Sequence, residues 1–383
     1  MSAPDSFKDK TKVAIVGAGL SGLYAAYLLE RQGIKDYLIF ESRDRVGGRI
    51  ESGFVLSDNG QNDVFDLGPT WCWPEFQTQL KNALDRLGIT LFEQYETGDV
   101  LLERGGLLPT SRQHGYTNQP TSVRLKGGMD QLINALLDCV APSKIHTSHK
   151  VQSITYEASG RIKLDLQVGV KKQPKCITAQ SVMLALPPRL AGMIEFSPKL
   201  PNNILNQWLK TETWMAPHAK YLAVYDRPFW REKGLSGQAR SSRGPMIEIH
   251  DASPKEGAGA LFGFVGIPAS SRKNIPEKVI EQACNEQLVR LFGKQAAKPK
   301  KVFFKDWAAD KHTSTISDLN ASGQHITRTP YVSPLEAPWQ NCLWGVASEW
   351  SPAFPGYLAG AVDAAERGVR QFIQQQELSN ECV

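Results

Sequence analysis

Three glycines near the start of the chain, Gly17, Gly19 and Gly22, stand in the run Gly-Ala-Gly-Leu-Ser-Gly. Glycines at that spacing suit a turn that cradles a pyrophosphate. The first permits a tight turn, the second lets the backbone approach phosphate oxygens, and the third brings a helix close to a strand. Leu20 and Ser21, inside the motif, offer the unpaired N–H groups of a helix start to the anion. Glu41 stands nineteen residues past Gly22, with Ser42 beside it. A carboxylate there can accept hydrogen bonds from both ribose hydroxyls of an adenosine, and it disfavours a 2′-phosphate, hence NADP. A second cluster, Arg45-Val46-Gly47-Gly48-Arg49, follows closely. Adjacent glycines expose backbone N–H groups, and Arg49 sets a fixed positive charge beside them, a plausible second clamp on a pyrophosphate. A nicotinamide dehydrogenase has no need of it.

These residues require particular elements to hold them. Residues 12–16 are apolar and β-branched and read as a buried strand. Residues 23–32 read as a helix ended by Gly33, and Tyr37–Phe40 as a second strand with Glu41 at its end. The whole chain has 383 residues, 41% of them hydrophobic and 22% charged, which fits a folded protein of two domains and not a disordered one. No apolar run is long enough to span a bilayer, and the polar first twelve residues do not read as a secretory leader. The net charge of +5 is scattered. Its densest cluster, Lys294, Lys298, Lys300 and Lys301, has no interleaved aromatic residues and reads as a solvated loop, so no nucleic-acid partner is expected. Six cysteines without a Cys-x-x-Cys pair argue against a zinc or dithiol site and fit a reducing, cytoplasmic setting. No metal is expected.

Residues 41–49 resemble the segment that follows the dinucleotide fingerprint in the flavin-containing amine oxidases, the superfamily of monoamine, polyamine and L-amino-acid oxidases. Other markers extend the resemblance from Val13 to Gly368. Asp66-Leu67-Gly68-Pro69-Thr70-Trp71 is similar to the family's entry into the flavin region. Arg124-Leu125-Lys126-Gly127-Gly128-Met129-Asp130 is similar to its glycine pair before a helix, where Met129, Leu132, Ile133, Leu136, Leu137 and Val140 share an apolar face. Gly345 to Glu349, followed by Gly356-Tyr357-Leu358-Ala359-Gly360-Ala361, resembles its C-terminal marker, which leads into a helix over 361–374. Ala347 and Ser348 replace the family's usual Gly-Thr there. The likeness is weakest over 76–122 and 234–300, which would build much of a substrate pocket.

The resemblance implies an α/β fold of the amine oxidase type, with a Rossmann-type FAD-binding domain (1–72, 134–199 and 325–383) and a second, mixed-sheet substrate domain (73–133 and 200–324). It implies non-covalent FAD contacts at Gly17, Gly19, Leu20, Ser21, Gly22, Glu41, Ser42, Gly48, Arg49, Leu67, Gly68, Pro69, Thr70, Ser348, Glu349, Gly356, Tyr357 and Ala359. Val151, in an expected strand over 145–154, is either a backbone contact to the adenine side or a plain core residue.

It also implies two catalytic residues. Lys220, ten residues before Trp230 of Pro228-Phe229-Trp230, matches a lysine that reaches flavin N5 through water and assists reoxidation by O2. The competing view of Lys220 is a strand lysine facing solvent. Tyr357 matches one wall of an aromatic cage, or else is packing. The second wall is absent. Counting from Trp307, the family's covalent Cys and cage Tyr read Ile316 and Ser317, so covalent attachment is not expected, and Trp307, Phe354 and Trp350 are the candidate replacements. Trp71 and Trp73 line the pocket or the core. His218 is left out of the catalytic set, because a lone histidine is more often structural. Arg227, Arg231, Arg240, Arg243 and Arg328 are the unplaced candidates for an amino-acid carboxylate.

The expected function is FAD-dependent oxidation of a small-molecule amine by O2, giving an imine, then a carbonyl, and hydrogen peroxide. Two alternatives stand: a flavin-dependent desaturase or tailoring oxidoreductase on a non-amine substrate, and a flavin-binding protein without turnover. No membrane partner is expected, and the oligomeric state is open, with a homodimer as the candidate.

Overall fold

The computed structural model describes residues 9–56, 60, 62–106, 108–320 and 328–381. The chain divides into two compact units: Met1–Arg49, Leu132–Trp214 and Gln324–Val383 form the first, Ile50–Gln131 and Met215–Gly323 the second.

In the first unit the strand Lys10–Val16 lies parallel between Tyr37–Phe40 and Gln173–Leu184, with Val16 opposite both Phe40 and Leu184. Its apolar run has no polar alternation because both faces are covered, as parallel sheets require. The long strand Gln173–Leu184 has two neighbours on its far side. Its first half pairs antiparallel with Ile162–Val168, and its end pairs parallel with Leu343–Gly345. His149–Tyr156 and Glu195–Ser197 complete that edge. Trp208, Trp339 and Trp350 fill the core beneath Ala14, Val16 and Val182.

Two helices differ from their expected starts. The first spans Leu20–Arg31 and the last Leu358–Glu381, each beginning three residues early. Apolar periodicity marks where a helix packs, whereas the backbone turns helical directly after the loop. The strand expected over 145–154 is broken into Ile145–His146 and His149–Tyr156. Ser148 takes a φ of 58° and donates its N–H to Arg43 O at 2.6 Å, so the chain steps sideways there.

The second unit is a seven-stranded sheet in the order Lys301–Asp306, Ala219–Tyr225, Gly259–Val265, Met246–Asp251, Leu235–Ser241, Asp99–Glu103, Ser111–Gln113. Only Leu235–Ser241 and Asp99–Glu103 run parallel, so the sheet is mixed. On one face Tyr221, Ala223 and Tyr225 meet the helix Glu277–Phe292 through Cys284 and Leu288. On the other, Leu222 and Val224 meet Phe262 and the ribbon of Ser52–Leu56 and Asn62–Asp66, through Val55 and Phe65. Strand alternation puts Lys220 on that second face. Among the described residues no helix is long and apolar enough to cross a membrane.

Candidate functional site

The first unit carries the glycine turn. Gly17 has a φ of +109° and donates its N–H to Phe40 O at 2.8 Å; a Cβ there would lie 2.5 Å from Ala185 O. A Cβ on Gly22 would lie 2.0 Å from Gly17 O, so the helix start rests directly on the turn. Gly19 precedes the helix without a side-chain cap, and no acid occupies the first turn. The first N–H groups, those of Leu20, Ser21 and Gly22, are therefore left to an anion, with the positive end of the helix dipole behind them. Gly47 donates to Ala18 O at 2.9 Å, and Gly48, at a φ of +60°, would press a Cβ to 3.1 Å from Gly19 Cα. The two glycine clusters thus form one surface, where the motif spacing alone suggests two separate clamps.

Glu41 is buried at the end of its strand. Its Oε2 accepts from Ala18 N–H at 2.9 Å, and its Oε1 from Arg43 N–H at 2.8 Å and Ser42 Oγ at 3.3 Å. A carboxylate held on both oxygens keeps lone pairs for further donors. Arg49 forks onto Glu349, Nη1 to Oε1 at 2.6 Å and Nη2 to Oε2 at 3.1 Å, and also donates to Ser348 Oγ at 3.0 Å. Its charge is balanced by a fully buried carboxylate, so its first role here is to tie the 348–349 turn to the glycine pair. Gly356, at a φ of +85°, donates to Ser348 O at 3.3 Å and leads to the last helix. Gly360 would drive a Cβ to 1.9 Å from Phe354 O; it belongs to the C-terminal marker, yet the motif does not single it out as a site residue. Ala359 is fully buried beside it. Val151 packs into the core around Trp208 and Trp339.

Tyr357 lies on Trp214, with ring centroids 4.6 Å apart and planes tilted by 48°. Trp214 is not one of the replacements that the sequence suggests for the second aromatic wall, and nothing in the local pattern marks it. Trp350 is core, edge-on to Trp208 and donating to Tyr331 O at 3.1 Å.

The second unit holds Lys220, only 3% exposed, so the solvent-facing view of it is excluded. Its Nζ donates to Asp66 O at 2.5 Å, Thr70 Oγ1 at 2.6 Å and Gly68 O at 3.3 Å, and sits 4.0 Å above the Phe262 ring. The three donors of an ammonium are matched by one loop. Burial nevertheless pulls its pKa down to about 7; Asp66 opposes that shift and Arg124 adds to it. Leu67 O accepts from Trp307 Nε1 at 3.1 Å, which anchors the same loop around Pro69.

Most of the other candidates are engaged elsewhere. His218 stands just ahead of the Lys220 strand, edge-on to Phe264, with Nδ1 unbonded; burial, then Arg272, holds its pKa below the usual histidine value. Trp71 Nε1 donates to Gln94 Oε1 at 2.8 Å with its ring against His250, and Trp73 Nε1 donates to Ser122 Oγ at 3.0 Å. Arg227, Arg231, Arg240 and Arg243 pair with Glu232, Asp251, Glu248 and Glu103, respectively, while Arg328 is exposed. Ile316 is 87% exposed in a short turn, with Ser317 next to it.

A glycine turn that excludes a Cβ at Gly17 and Gly22, an uncapped helix start, a buried acid at the second strand end and a second glycine-led helix define a dinucleotide-binding α/β protein, and these residues fit the ADP half of FAD. Residues 95–373 match the family described as flavin containing amine oxidoreductase, and residues 15–87 match an NAD(P)-binding Rossmann-like domain. The chain belongs to the flavin-containing amine oxidoreductase family. It is 24% identical to a probable flavin-containing monoamine oxidase A of Dictyostelium discoideum, covering 93% of this chain and 96% of that protein. It is 23% identical to a putrescine oxidase of Kocuria rosea, covering 84% and 88%. A solved putrescine oxidase double mutant shares the fold with a TM-score of 0.76 at 21% identity, over 95% of this chain and 99% of that one. The protein is a flavin-dependent amine oxidoreductase, and its cofactor is FAD.

Proposed function

We propose that this protein is an oxidase that converts a small amine to an imine, which water hydrolyses to a carbonyl compound, and that it passes the electrons to O2 as hydrogen peroxide. FAD, when bound, supplies the redox chemistry: it takes a hydride from the amine's α C–H at N5 and later delivers two electrons to O2. The chain's own residues bind and orient. In this reading the first unit is the FAD-binding domain. The N–H groups at Leu20–Gly22 and the glycine pair Gly47-Gly48 take the pyrophosphate, Glu41 takes the ribose hydroxyls, and the Ser348–Glu349 turn with the start of the last helix takes further polar edges. Tyr357, backed by Trp214, offers an aromatic face to the amine. Lys220 Nζ, fixed by Asp66 O, Gly68 O and Thr70 Oγ1, lends positive charge to the reduction of O2, and it reaches a water by releasing the longest of these bonds, the one to Gly68 O at 3.3 Å.

The observation that carries the proposal is the buried Lys220, its ammonium gripped by residues 66–70 and its proton held loosely enough to exchange near neutral pH. A lysine kept in the core at such a cost in desolvation has a use there. The second unit is proposed to build the substrate site. Its paired arginines favour an amine without a carboxylate over an amino acid. The described cysteines are all free, which fits the proposed cytoplasmic setting.

The test is a visible spectrum of the purified protein before and after acid precipitation, followed by an amine panel without oxygen and a coupled peroxide assay in air. Flavin in the supernatant, bleaching by an amine and stoichiometric peroxide are expected. Bleaching only by a non-amine, or an oxidised spectrum with every amine, would defeat the proposal.

A further inference from the structure

The Lys220 ammonium has a partner besides the three oxygens of residues 66–70. Phe262, on the neighbouring strand Gly259–Val265, sets its ring face 4.0 Å from Nζ. Strand register alone pairs the lysine with a different ring. Lys220 stands directly opposite Phe264, and Phe262 stands opposite Leu222, so the lysine reaches along the diagonal. Phe264 is turned edge-on to Phe262, with planes at 90° and centroids 5.5 Å apart, and edge-on to His218 at 81° and 6.3 Å. The Phe262 ring is itself clamped. His250 stacks on it at 5.4 Å and 27°, and Trp71 leans on it at 5.4 Å and 47°. Trp71 directly follows Thr70, so one segment, 66–71, both grips the ammonium and helps to set the ring beside it. Phe262 is 1% exposed. The face of an aromatic ring carries partial negative charge, and it attracts a desolvated cation more strongly than a hydrated one.

We propose that Phe262 is a positioning residue whose ring face holds the Lys220 side chain against the 66–70 loop in its ammonium form. This rests on the reading of Lys220 given above. A neutral amine offers the ring no positive charge, so the contact favours the ammonium, and a ring of the same shape with less electron density favours it less. Burial already brings release of the Lys220 proton down to about 7, so a change in this support is readable near neutral pH. Other charged groups surround the strand. Lys305, opposite Lys220 on Lys301–Asp306, pairs with Glu51 at 2.7 Å and Asp310 at 3.6 Å. Asp306 binds Arg272, which also faces His218. On Met246–Asp251, Glu248 holds His250 and Arg240, and Asp251 holds Arg231. In the ribbon, Asp63 accepts the Ala258 N–H at 3.1 Å and Asp66 Oδ1 the Met129 N–H at 2.7 Å. Asp130 lies beyond Asp66, and Arg124, on Val123–Leu125, faces both Asp66 and Asp251. All of these groups stay in place when only the electron density of the Phe262 ring is changed.

The experiment makes that change. Phe262 is replaced by its 4-fluoro, 3,5-difluoro and 3,4,5-trifluoro analogues through nonsense suppression, a series that nearly keeps the ring's shape while draining its face of charge. NMR of the flavin-loaded protein with 13C-labelled lysine follows each titration, and the signal lost in Lys220→Met identifies Lys220. The midpoint is expected to fall with each added fluorine, by about one pH unit over the series, a tenfold loss of proton affinity that lies within the range of a buried cation–π contact. Phe262→Leu removes the ring face and should lower the midpoint by about as much. The fluorinated proteins keep the proposal testable even where Phe262→Leu does not fold. A midpoint that stays put across the series, or rises, overturns the proposal, since a ring that only fills space would act in that way. In parallel, the pH dependence of flavin reoxidation is expected to move with the NMR midpoints. If the midpoints fall as stated while Lys220→Met reoxidises like the parent, the ring contact stands and the catalytic reading of Lys220 falls.

Discussion

A buried lysine burdens the fold in a way that pH reveals. In the unfolded chain Lys220 keeps its proton up to its ordinary pKa of 10.5, whereas in the folded protein it releases it at about 7. Between those values the unfolded state binds more protons, so stability rises with pH across that window, at most by about 1.4 kcal/mol per unit, and the full penalty is present below pH 7. Lys220→Met removes this dependence, although it leaves Asp66 O, Gly68 O and Thr70 Oγ1 without their donor, a pH-independent loss. The difference in unfolding free energy between variant and parent should therefore shift in favour of the variant as pH falls from 10 to 7. Urea denaturation of both proteins at pH 7.5, 8.5 and 9.5 checks it, and a constant difference would show that Lys220 titrates normally. Its neighbours Pro228-Phe229-Trp230 bring Lys220 forward in the sequence, yet they cannot settle its burial. All seven residues of Ala219–Tyr225 are buried, because a ribbon covers one face of the sheet and a helix the other. A period-two pattern read along one strand cannot report both covers. Trp214 is illegible for a related reason: it meets Tyr357 only through the fold, far along the chain.

At the level of elements, what is legible is what is local. The strand, glycine turn, helix and second strand follow one another within forty residues, and Gly17 and Gly22 have steric reasons that a short motif can express. The broken strand at Ser148 is not legible, since its cause is a hydrogen bond to Arg43, a residue of another loop. The same distinction gives a paired prediction for two glycines of one helix. At Gly22 a Cβ would meet Gly17 O at 2.0 Å, so Gly22→Ala must push the helix start away from the turn. At Gly33, past the other end, a Cβ meets nothing within 4 Å and only the positive φ of +73° resists it. Gly33→Ala should cost about 1 kcal/mol of stability and leave flavin affinity unchanged. Gly22→Ala should cost about 1–3 kcal/mol and weaken FAD binding at least tenfold, because the N–H groups no longer converge. Thermal unfolding and flavin titration of the two variants separate these outcomes; equal flavin affinities would mean that the glycine turn does not hold the cofactor.

For the molecule as a whole, each unit has its own core, one built around Trp208, Trp339 and Trp350, the other around Tyr221, Trp230 and Leu288. The residues proposed to hold the ADP half of FAD are all in the first unit, within 17–22, 41–49 and 348–361. A ligand that binds only the folded state stabilises it by mass action, by about 2.7 kcal/mol at a hundred times its dissociation constant. That energy need not spread evenly, because segments open locally with different free energies. Backbone groups that the cofactor touches are shielded from the small openings as well as from global unfolding. Hydrogen exchange of the flavin-loaded and flavin-stripped protein should therefore differ most in those three segments, with exchange slowed up to about a hundredfold. The helix Glu277–Phe292, which packs against one face of the second unit's sheet and holds none of the proposed cofactor residues, should respond less. A greater response in that helix than in the glycine turn would remove the first unit from its proposed role.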